Sequence, residues 1–523
     1  MSDKINFLYI MVDQARADFL GCYGNKNIKT PNIDALANRG AMFERLYVAS
    51  PFCMPTRAAM MTGRMPSVNG ARTNGTPLSL ESRTFVSSLM EDGYDTALIG
   101  KCHLQNMTGL PRAYTPPSAE KCSKDADGYP DQPTRSPLTG EGYDNENSLL
   151  WREDPEHSVK TPYYGFQQVD LCTLHGDNVG AEYPRWLKNT ELTGKNNSLD
   201  KGDITTPQAW RTALSEEEYP TAYIGRKTIE WLENQQSDDP FFLQCSFPDP
   251  HHPFTPPGKY WDMYDADDIE LPESFDKGTS PILNHMREEF AAGIANRDST
   301  LPYVVTKKEA REAIALTYGM ITMIDDWIGK IIDTLQEQDL LDNTVIIFSS
   351  DHGDYMANHG IMLKGPLHYQ GLIRIPFIWS EPKAKKETRF DQLCSAIDIG
   401  PSIMNRSNTP PYYGIQGRSL CGLIDGTTNK HREEVLIEDD REVIYLGFSE
   451  PQRVRTMITE QYRMTMTNPA GIYELFDLKN DPHELNNLWE EEGNEDLKND
   501  MTKRMLELIC EMQDWSPLPT GRA

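Results

Sequence analysis

Four short apolar runs, each cut off by a cluster of charged and polar residues, constrain this chain more than any other feature. They are residues 7–12 before Asp13, 96–99 before Gly100 and Lys101, 241–247 before Asp249, Pro250, His251 and His252, and 345–348 before Ser349, Ser350, Asp351 and His352. Continuous runs of this length predict strands buried on both faces, so helices should cover them. One cover is legible. Thr306 and Glu309 form a capping-box pattern, after which Leu316, Met320, Ile324, Trp327, Ile331 and Leu335 recur at spacings of three and four. Alternating strands and helices imply an α/β sandwich, whose ligand site lies beyond the carboxyl ends of the strands, where the four clusters stand.

At 523 residues the chain exceeds one ordinary core and predicts a large unit with a smaller companion. After about residue 428 the pattern changes to short strands near 435–437, 443–448, 455–458 and 462–467, closed by a helix over 495–512. We read a catalytic domain over 1–428 and a small α+β domain over 429–523. The span from about 105 to 235 is rich in Pro, Gly, Asp, Asn and Thr and weakly periodic, with scattered Trp151, Trp186 and Trp210. It reads as a long insertion with loops near the site; the aromatics argue against the alternative, disorder. No internal repeat is present.

Lys and Arg total 51 against 79 Asp and Glu, a net charge of -28, which argues against nucleic-acid or anionic-membrane binding through a diffuse positive field. An anionic substrate would then need a local cationic pocket. The N-terminal apolar run is too short for a membrane span and no small-residue cleavage site follows it, so we expect a first strand in a cytoplasmic protein. A leader removed beforehand would leave the same picture. The nine cysteines lack the spacing of a disulfide framework or a zinc ribbon, and reduced thiols are the default. No signal of oligomeric state stands out.

Cys53, Met54, Pro55, Thr56 and Arg57 open a short helical run over 58–62 that Gly63 stops. Pro suits a first turn and Gly an exit, so Cys53 would stand where free amide groups and the helix dipole favour negative charge. By spacing alone, a buried structural Cys fits equally well. The stretch resembles the sulfatase family, whose Cys-x-Pro-x-Arg motif marks a Cys converted to formylglycine. The similarity continues through Ala58 to Gly63 and reappears in Gly93-Tyr94-Asp95-Thr96-Ala97-Leu98-Ile99-Gly100-Lys101-Cys102-His103, which looks like the second signature of that family. It extends to the Asp13, His251 and Asp351 regions and to 473–478 and 481–485. The resemblance implies an alkaline phosphatase-like fold, a large mixed, mostly parallel sheet sandwiched by helices. It also implies hydrolysis of small-molecule or carbohydrate sulfate esters, and maturation by a formylglycine-generating enzyme. A hydrated aldehyde offers one hydroxyl to attack sulfur and a second that can expel sulfate, splitting one displacement into two easier steps.

Asp13, Gln14, Asp351 and His352 are two polar pairs at strand ends, each alone as consistent with a turn as with a metal. Under the resemblance they hold a divalent cation that also binds the residue-53 nucleophile. Gln14 stands where a second Asp is frequent and His352 where Asn is frequent. Oxygen donors favour Ca²⁺, while the imidazole and lower charge make Mg²⁺ or Mn²⁺ credible. The resemblance further assigns sulfate contacts to Lys101 and Lys364, contact with the formylglycine hydroxyl to His103, and a supporting place to Arg57. It makes His251 the acid for the leaving oxygen, with a pKa near neutral, and His252 its nearest competitor. Asn74, on the loop after the nucleophile helix, is a turn residue on its own reading and resembles an active-site Asn of phosphonate monoester hydrolases. That branch, also matched by Gln14 and His352, supplies the alternative activity, and a binding protein that never converts Cys53 is the non-enzymatic one.

Overall fold

The unbroken hydrophobicity of residues 7–12 places them at the centre of a sheet. The structure, a computed structural model, describes residues 4–111, 117–124, 130, 138–189, 202–235, 239–382, 387–441 and 443–521. In chain order its strands are β1 (Asn6–Val12), β2 (Ala41–Tyr47), β3 (Asp95–Lys101), β4 (Gln168–Thr173), β5 (Gly180–Ala181), β6 (Phe241–Phe247), β7 (Tyr303–Val304), β8 (Thr344–Ser350), β9 (Ile361–Met362), β10 (Arg374–Ser380), β11 (Thr388–Phe390), β12 (Cys394–Ser395), β13 (Val435–Asp440), β14 (Arg453–Ile458), β15 (Tyr462–Asn468) and β16 (Ile472–Asp477). The first sheet runs β11-β2-β10-β8-β1-β6-β3-β4-β5, with β12 also along β2. β8, β1, β6, β3 and β4 are mutually parallel, whereas β10 opposes both of its neighbours.

Alternate residues of each central strand enter different layers, as a pleat requires. Phe7, Tyr9 and Met11 join Phe242, Val345 and Ile347 against Met60, Met61, Phe85 and Leu89 on one face. Leu8, Ile10 and Val12 join Leu243, Cys245, Ile346 and Phe348 against Leu316, Ile324 and Ile328 on the other. That second cover is the helix Lys307–Glu337, with the capping box in place at Thr306 and Glu309. The family-like fold is thus a mixed, mostly parallel sheet between helical layers.

β13 to β16 form an antiparallel meander, and the helix Glu495–Glu511 lies against it through Met501, Met505 and Leu508. The strand expected over 443–448 is absent. Leu446 and Gly447 take positive φ (53° and 74°) and Phe448 N donates to Tyr445 O at 3.1 Å, so this stretch turns the chain between β13 and β14. Its apolar residues reflect packing of a turn rather than strand pairing.

The 105–235 span also departs from a pure loop insertion. β4 inside it pairs with β3, and the helix Pro220–Glu233 packs beside Lys307–Glu337 on Tyr223 and Ile224. Weak periodicity misled because Asp170 sits within β4. Residues 112–116, 125–129, 131–137 and 190–201 of the span lie outside the described residues. All nine cysteines are free thiols. Among the described residues no helix is long and apolar enough to cross a membrane.

Candidate active site

The four polar clusters follow β8, β1, β6 and β3, which are adjacent in that order, so their carboxyl ends bring the clusters to one place. Val12 is level with Ser350 on one side and Phe247 on the other, while Gly100 pairs with Ser246. Gly100 (φ 105°) is required here: a Cβ would stand 2.0 Å from the Ser246 carbonyl oxygen.

The helix Cys53–Thr62 is buried along its whole length and ends on Gly63 at φ 59°. Its N-cap, Phe52, offers no side-chain acceptor. Asn74 Oδ1 instead accepts the free N–H of Met54 at 3.1 Å, a cap supplied from outside the helix. Asn74 is thereby held next to Cys53. Arg57, one turn on, ties four strand ends together. Its Nε donates to Asp351 Oδ2 at 2.7 Å, one terminal nitrogen to Lys101 O at 2.9 Å and Ser246 Oγ at 3.1 Å, and the other lies 3.5 Å from Asp13 Oδ2.

Around the Cys53 sulfur, which is 1% exposed, stand His352 Nε2 at 3.1 Å, Lys364 Nζ at 3.1 Å and Asp13 Oδ1 at 3.7 Å. Ligating atoms of Asp13, Cys53, Asp351 and His352 all lie within 4.8 Å of one another and all four residues are buried. Gln14 joins them through its backbone N–H, which donates to Asp351 Oδ1 at 3.0 Å, while its side-chain oxygen accepts from Lys364 at 3.0 Å. Gln14 holds a left-handed φ of 66°, strain that a linear side chain tolerates only where its surroundings impose it. Two buried carboxylates, an imidazole and an amide oxygen converging in this way fit a divalent cation.

The cations of the pocket set the local electrostatics. Burial opposes ionisation of Asp13, yet Lys101, Arg57, His175 and Lys364 hold its carboxyl well below the usual range. Burial and Asp13 push the Cys53 thiol up, but Lys364, Lys101 and His352 bring it below its ordinary value. His352 rises despite burial because of Asp351 and the Cys53 sulfur. Lys101 is fully buried and bonded to Asp13 Oδ2.

His251 differs from the expectation of a near-neutral pKa. Burial, His175, His252 and Lys364 push its imidazole well below the ordinary value, so it is uncharged at rest. Nδ1 lies 2.6 Å from the His252 carbonyl, and Nε2 is 3.1 Å from Lys364 Nζ; the carbonyl assigns the proton to Nδ1 and leaves Nε2 as acceptor. His103 lies in the same electrostatic neighbourhood but makes no hydrogen bond to Cys53, and its Nδ1 is buried without a partner. Its backbone is fixed by Glu146, which accepts the N–H groups of His103, Leu104 and Gln105 at 2.8, 2.8 and 3.1 Å. His252 stacks on His251 and stands 3.4 Å from Gln14 Nε2.

Sequence reasoning missed His175. Its Nε2 is 2.6 Å from Lys101 Nζ, and its ring stacks on His251 at 3.5 Å with an interplanar angle of 7°. It follows β4, so the rule of polar residues after buried strands applied to it, hidden by the composition of the span around it. Asp354 was also missed. It accepts Gln14 Nε2 at 2.5 Å and Leu363 N at 2.9 Å, bracing both sides of the pocket.

A family model described as Sulfatase matches residues 5–408. The chain belongs to the sulfatase family. A second model, for the C-terminal part of N-sulphoglucosamine sulphohydrolase, matches residues 358–511. An arylsulfatase of Clostridium perfringens is 29% identical over 496 residues, covering 93% of this chain and 90% of the relative. An N-acetylglucosamine-6-O-sulfatase of Bacteroides thetaiotaomicron is 22% identical over 544 residues, covering 92% and 82%. Among solved structures, a phosphonate monoester hydrolase of Agrobacterium radiobacter superposes with a TM-score of 0.75 at 24% identity, covering 98% of this chain and 96% of that one. This sulfatase is accordingly a sulfuric ester hydrolase.

Proposed function

We propose that this sulfatase uses a formylglycine derived from Cys53, with a divalent cation held by Asp13, Gln14, Asp351 and His352. The observation carrying the reading is the single buried cluster of Asp13, Cys53, Asp351 and His352, with three cationic side chains around it. Formylglycine supplies the two hydroxyls of a hydrated aldehyde, one nucleophilic towards sulfur and one available to expel sulfate. The cation, when bound, lowers the nucleophile's pKa and neutralises charge on a sulfate oxygen; Ca²⁺ suits the oxygen donors and Mg²⁺ or Mn²⁺ the mixed set.

The chain's own side chains do the rest. Lys101 and Lys364, both close enough to lower the Cys53 thiol, bind sulfate oxygens, supplying the cationic pocket that a chain of net charge -28 otherwise lacks. Arg57 fixes Asp351 and the Lys101 backbone and keeps both strand ends in register. His103 lines the pocket beside them. The proton for the leaving oxygen passes through His251: Nε2 takes a proton from Lys364, 3.1 Å away, and hands that same proton to the departing oxygen, leaving His251 neutral. Asn74 positions the start of the nucleophile helix at the substrate's edge. The substrate is a small-molecule or carbohydrate sulfate ester, maturation requires a formylglycine-generating enzyme, and the cytoplasm is the compartment we assign.

A phosphonate monoester or phosphodiester hydrolase is the second reading, favoured by Gln14 and His352 and by tetrahedral geometry common to both ester classes. Parallel turnover of an aryl sulfate and an aryl phosphonate decides between them, alongside the intact mass of position 53. A phosphonate rate far above the sulfate rate reverses our choice, and unmodified Cys53 from a converting host favours a binding role.

A further inference from the structure

The end of β13 reaches the nucleophile helix. Glu438 N donates to Ala49 O at 2.9 Å, and the Glu438 carboxylate accepts Ser67 Oγ at 2.8 Å. Just beyond the strand, the Arg441 guanidinium lies over the ring of Phe52, the residue before Cys53, at 3.8 Å, and over Tyr445 at 4.8 Å. Its Nε donates to Tyr445 Oη at 3.2 Å. One terminal nitrogen, Nη2, is buried with no hydrogen-bond partner.

Among the described residues no carboxylate forms a close ion pair with Arg441, and Asp439 acts on it from longer range. The three acids preceding it are engaged elsewhere: Glu438 with Ser67, Asp439 towards His368 at 3.9 Å, and Asp440 with Arg455 at 2.7 Å. Arg72, on the loop that carries Asn74, lies 3.7 Å from Asp440 and adds a second cation to this edge. On the other flank Tyr355, whose hydroxyl accepts Leu367 N at 3.1 Å, interacts electrostatically with both Tyr445 and Arg441. Arg441 thus stands between the segments that carry Cys53 and Lys364. A half-buried guanidinium held by two rings, with one nitrogen unbonded and only a longer-range carboxylate at Asp439, has capacity for a further anion, and its planar fork suits carboxylate or sulfate.

We propose that Arg441 is the recognition residue for a second anionic group of the substrate, a carboxylate or a further sulfate close to the ester that is cleaved. The inference rests on the sulfatase reading above and narrows the substrate class to sulfate esters bearing two negative groups. One charge-assisted, fork-shaped contact supplies that selectivity.

The test measures kcat/KM of the matured enzyme on pairs of monosaccharide sulfates that differ only in a second anionic group. Such pairs are an N-sulfated against a free amino sugar sulfate, and a uronate sulfate against the neutral hexose sulfate. The wild type should favour the dianionic member of at least one pair by on the order of 10- to 100-fold, the size of a hydrogen bond to a charged group. Arg441→Met should bring that ratio to near one, and Arg441→Lys, which keeps charge but not the fork, should fall between. A wild-type ratio near one in every pair, or a ratio unaltered in R441M, overturns the inference alone. Absence of turnover on every sulfate, 4-nitrophenyl sulfate included, refutes the sulfatase mechanism itself, and the inference falls with it.

Discussion

Replacing Arg57 with Met removes the side chain that links the helix of Cys53 to four strand ends, at nearly conserved side-chain length. Asp351 would lose its 2.7 Å partner and Asp13 a 3.5 Å one, both inside a region closed to water. Breaking a buried ion pair costs about 3–5 kcal/mol, because the remaining charge is stranded. Lys101 O and Ser246 Oγ would also lose donors, each at about 1–3 kcal/mol when no water replaces them. The terms overlap, so the expected loss is near the ion-pair figure rather than the sum, a large part of the roughly 5–15 kcal/mol that holds a domain together. A urea titration followed by fluorescence reads this as a lower unfolding midpoint. The sharper assay is a double-mutant cycle with Asp351→Asn, in which R57M should cost much less once the carboxylate is gone, leaving a coupling of about 0.5–3 kcal/mol. A coupling of zero, or an R57M midpoint equal to wild type, would refute the reading of Arg57 as the tie between helix and sheet.

Four further outcomes are expected. Cys53→Ala should abolish sulfate ester turnover while leaving the unfolding midpoint close to wild type; retained turnover would remove the covalent mechanism. His175→Phe keeps a flat ring against His251 but deletes the neighbour of Lys101, and kcat/KM should fall roughly tenfold or more, read by steady-state kinetics. Asp398→Asn should destabilise by about 3–5 kcal/mol at pH 7, because Asp398 is the buried partner of Arg432 and bonds His431 at 3.0 Å. Burial raises the Asp398 carboxyl, but Arg432 and His431 hold it well below its usual value, so this stability is present above the ordinary carboxylate range. It drains away as pH falls towards the depressed value, and the gap between variant and wild type should narrow below about pH 4. Dialysis against a chelator should suppress turnover, and restoration by Ca²⁺, Mg²⁺ or Mn²⁺ added singly identifies the ion; unchanged turnover after verified metal removal contradicts the ligand set.

Much of the site was legible because buried parallel strands advertise their ends. Asp13, Lys101, His251 and Asp351 each follow an apolar run, and parallel neighbours necessarily deliver such residues to one rim. Lys364 was reached through family resemblance alone, since no run precedes it; it arrives on a loop after β9 with Leu363 at φ 68°. His175 follows the same strand-end rule, but β4 carries Asp170 and is flanked by loop-forming composition, so period and hydrophobicity gave no run to end. Glu146 has no local signal at all. Its value lies in three backbone N–H groups some forty residues away in sequence, contacts that only tertiary structure creates. The lowered pKa of His251 was hidden for a related reason, because its burial, and the approach of His175 from the turn after β4, cannot be seen in a linear motif.

The hydrophobic cluster beneath β13 to β16 crosses what the sequence offered as a domain boundary. Met501, Met505 and Leu508 share it with Leu436 and Leu475, but also with Ala49, Ala59 and Met65, which flank or belong to the helix of Cys53. Ala59 is on the turn after Arg57. The terminal hundred residues are therefore less an appendage than the outer wall of the reaction chamber. Trimming the chain near residue 428 would strip apolar surface bare along the back of that helix, and the shortened piece should aggregate rather than persist as a smaller working enzyme.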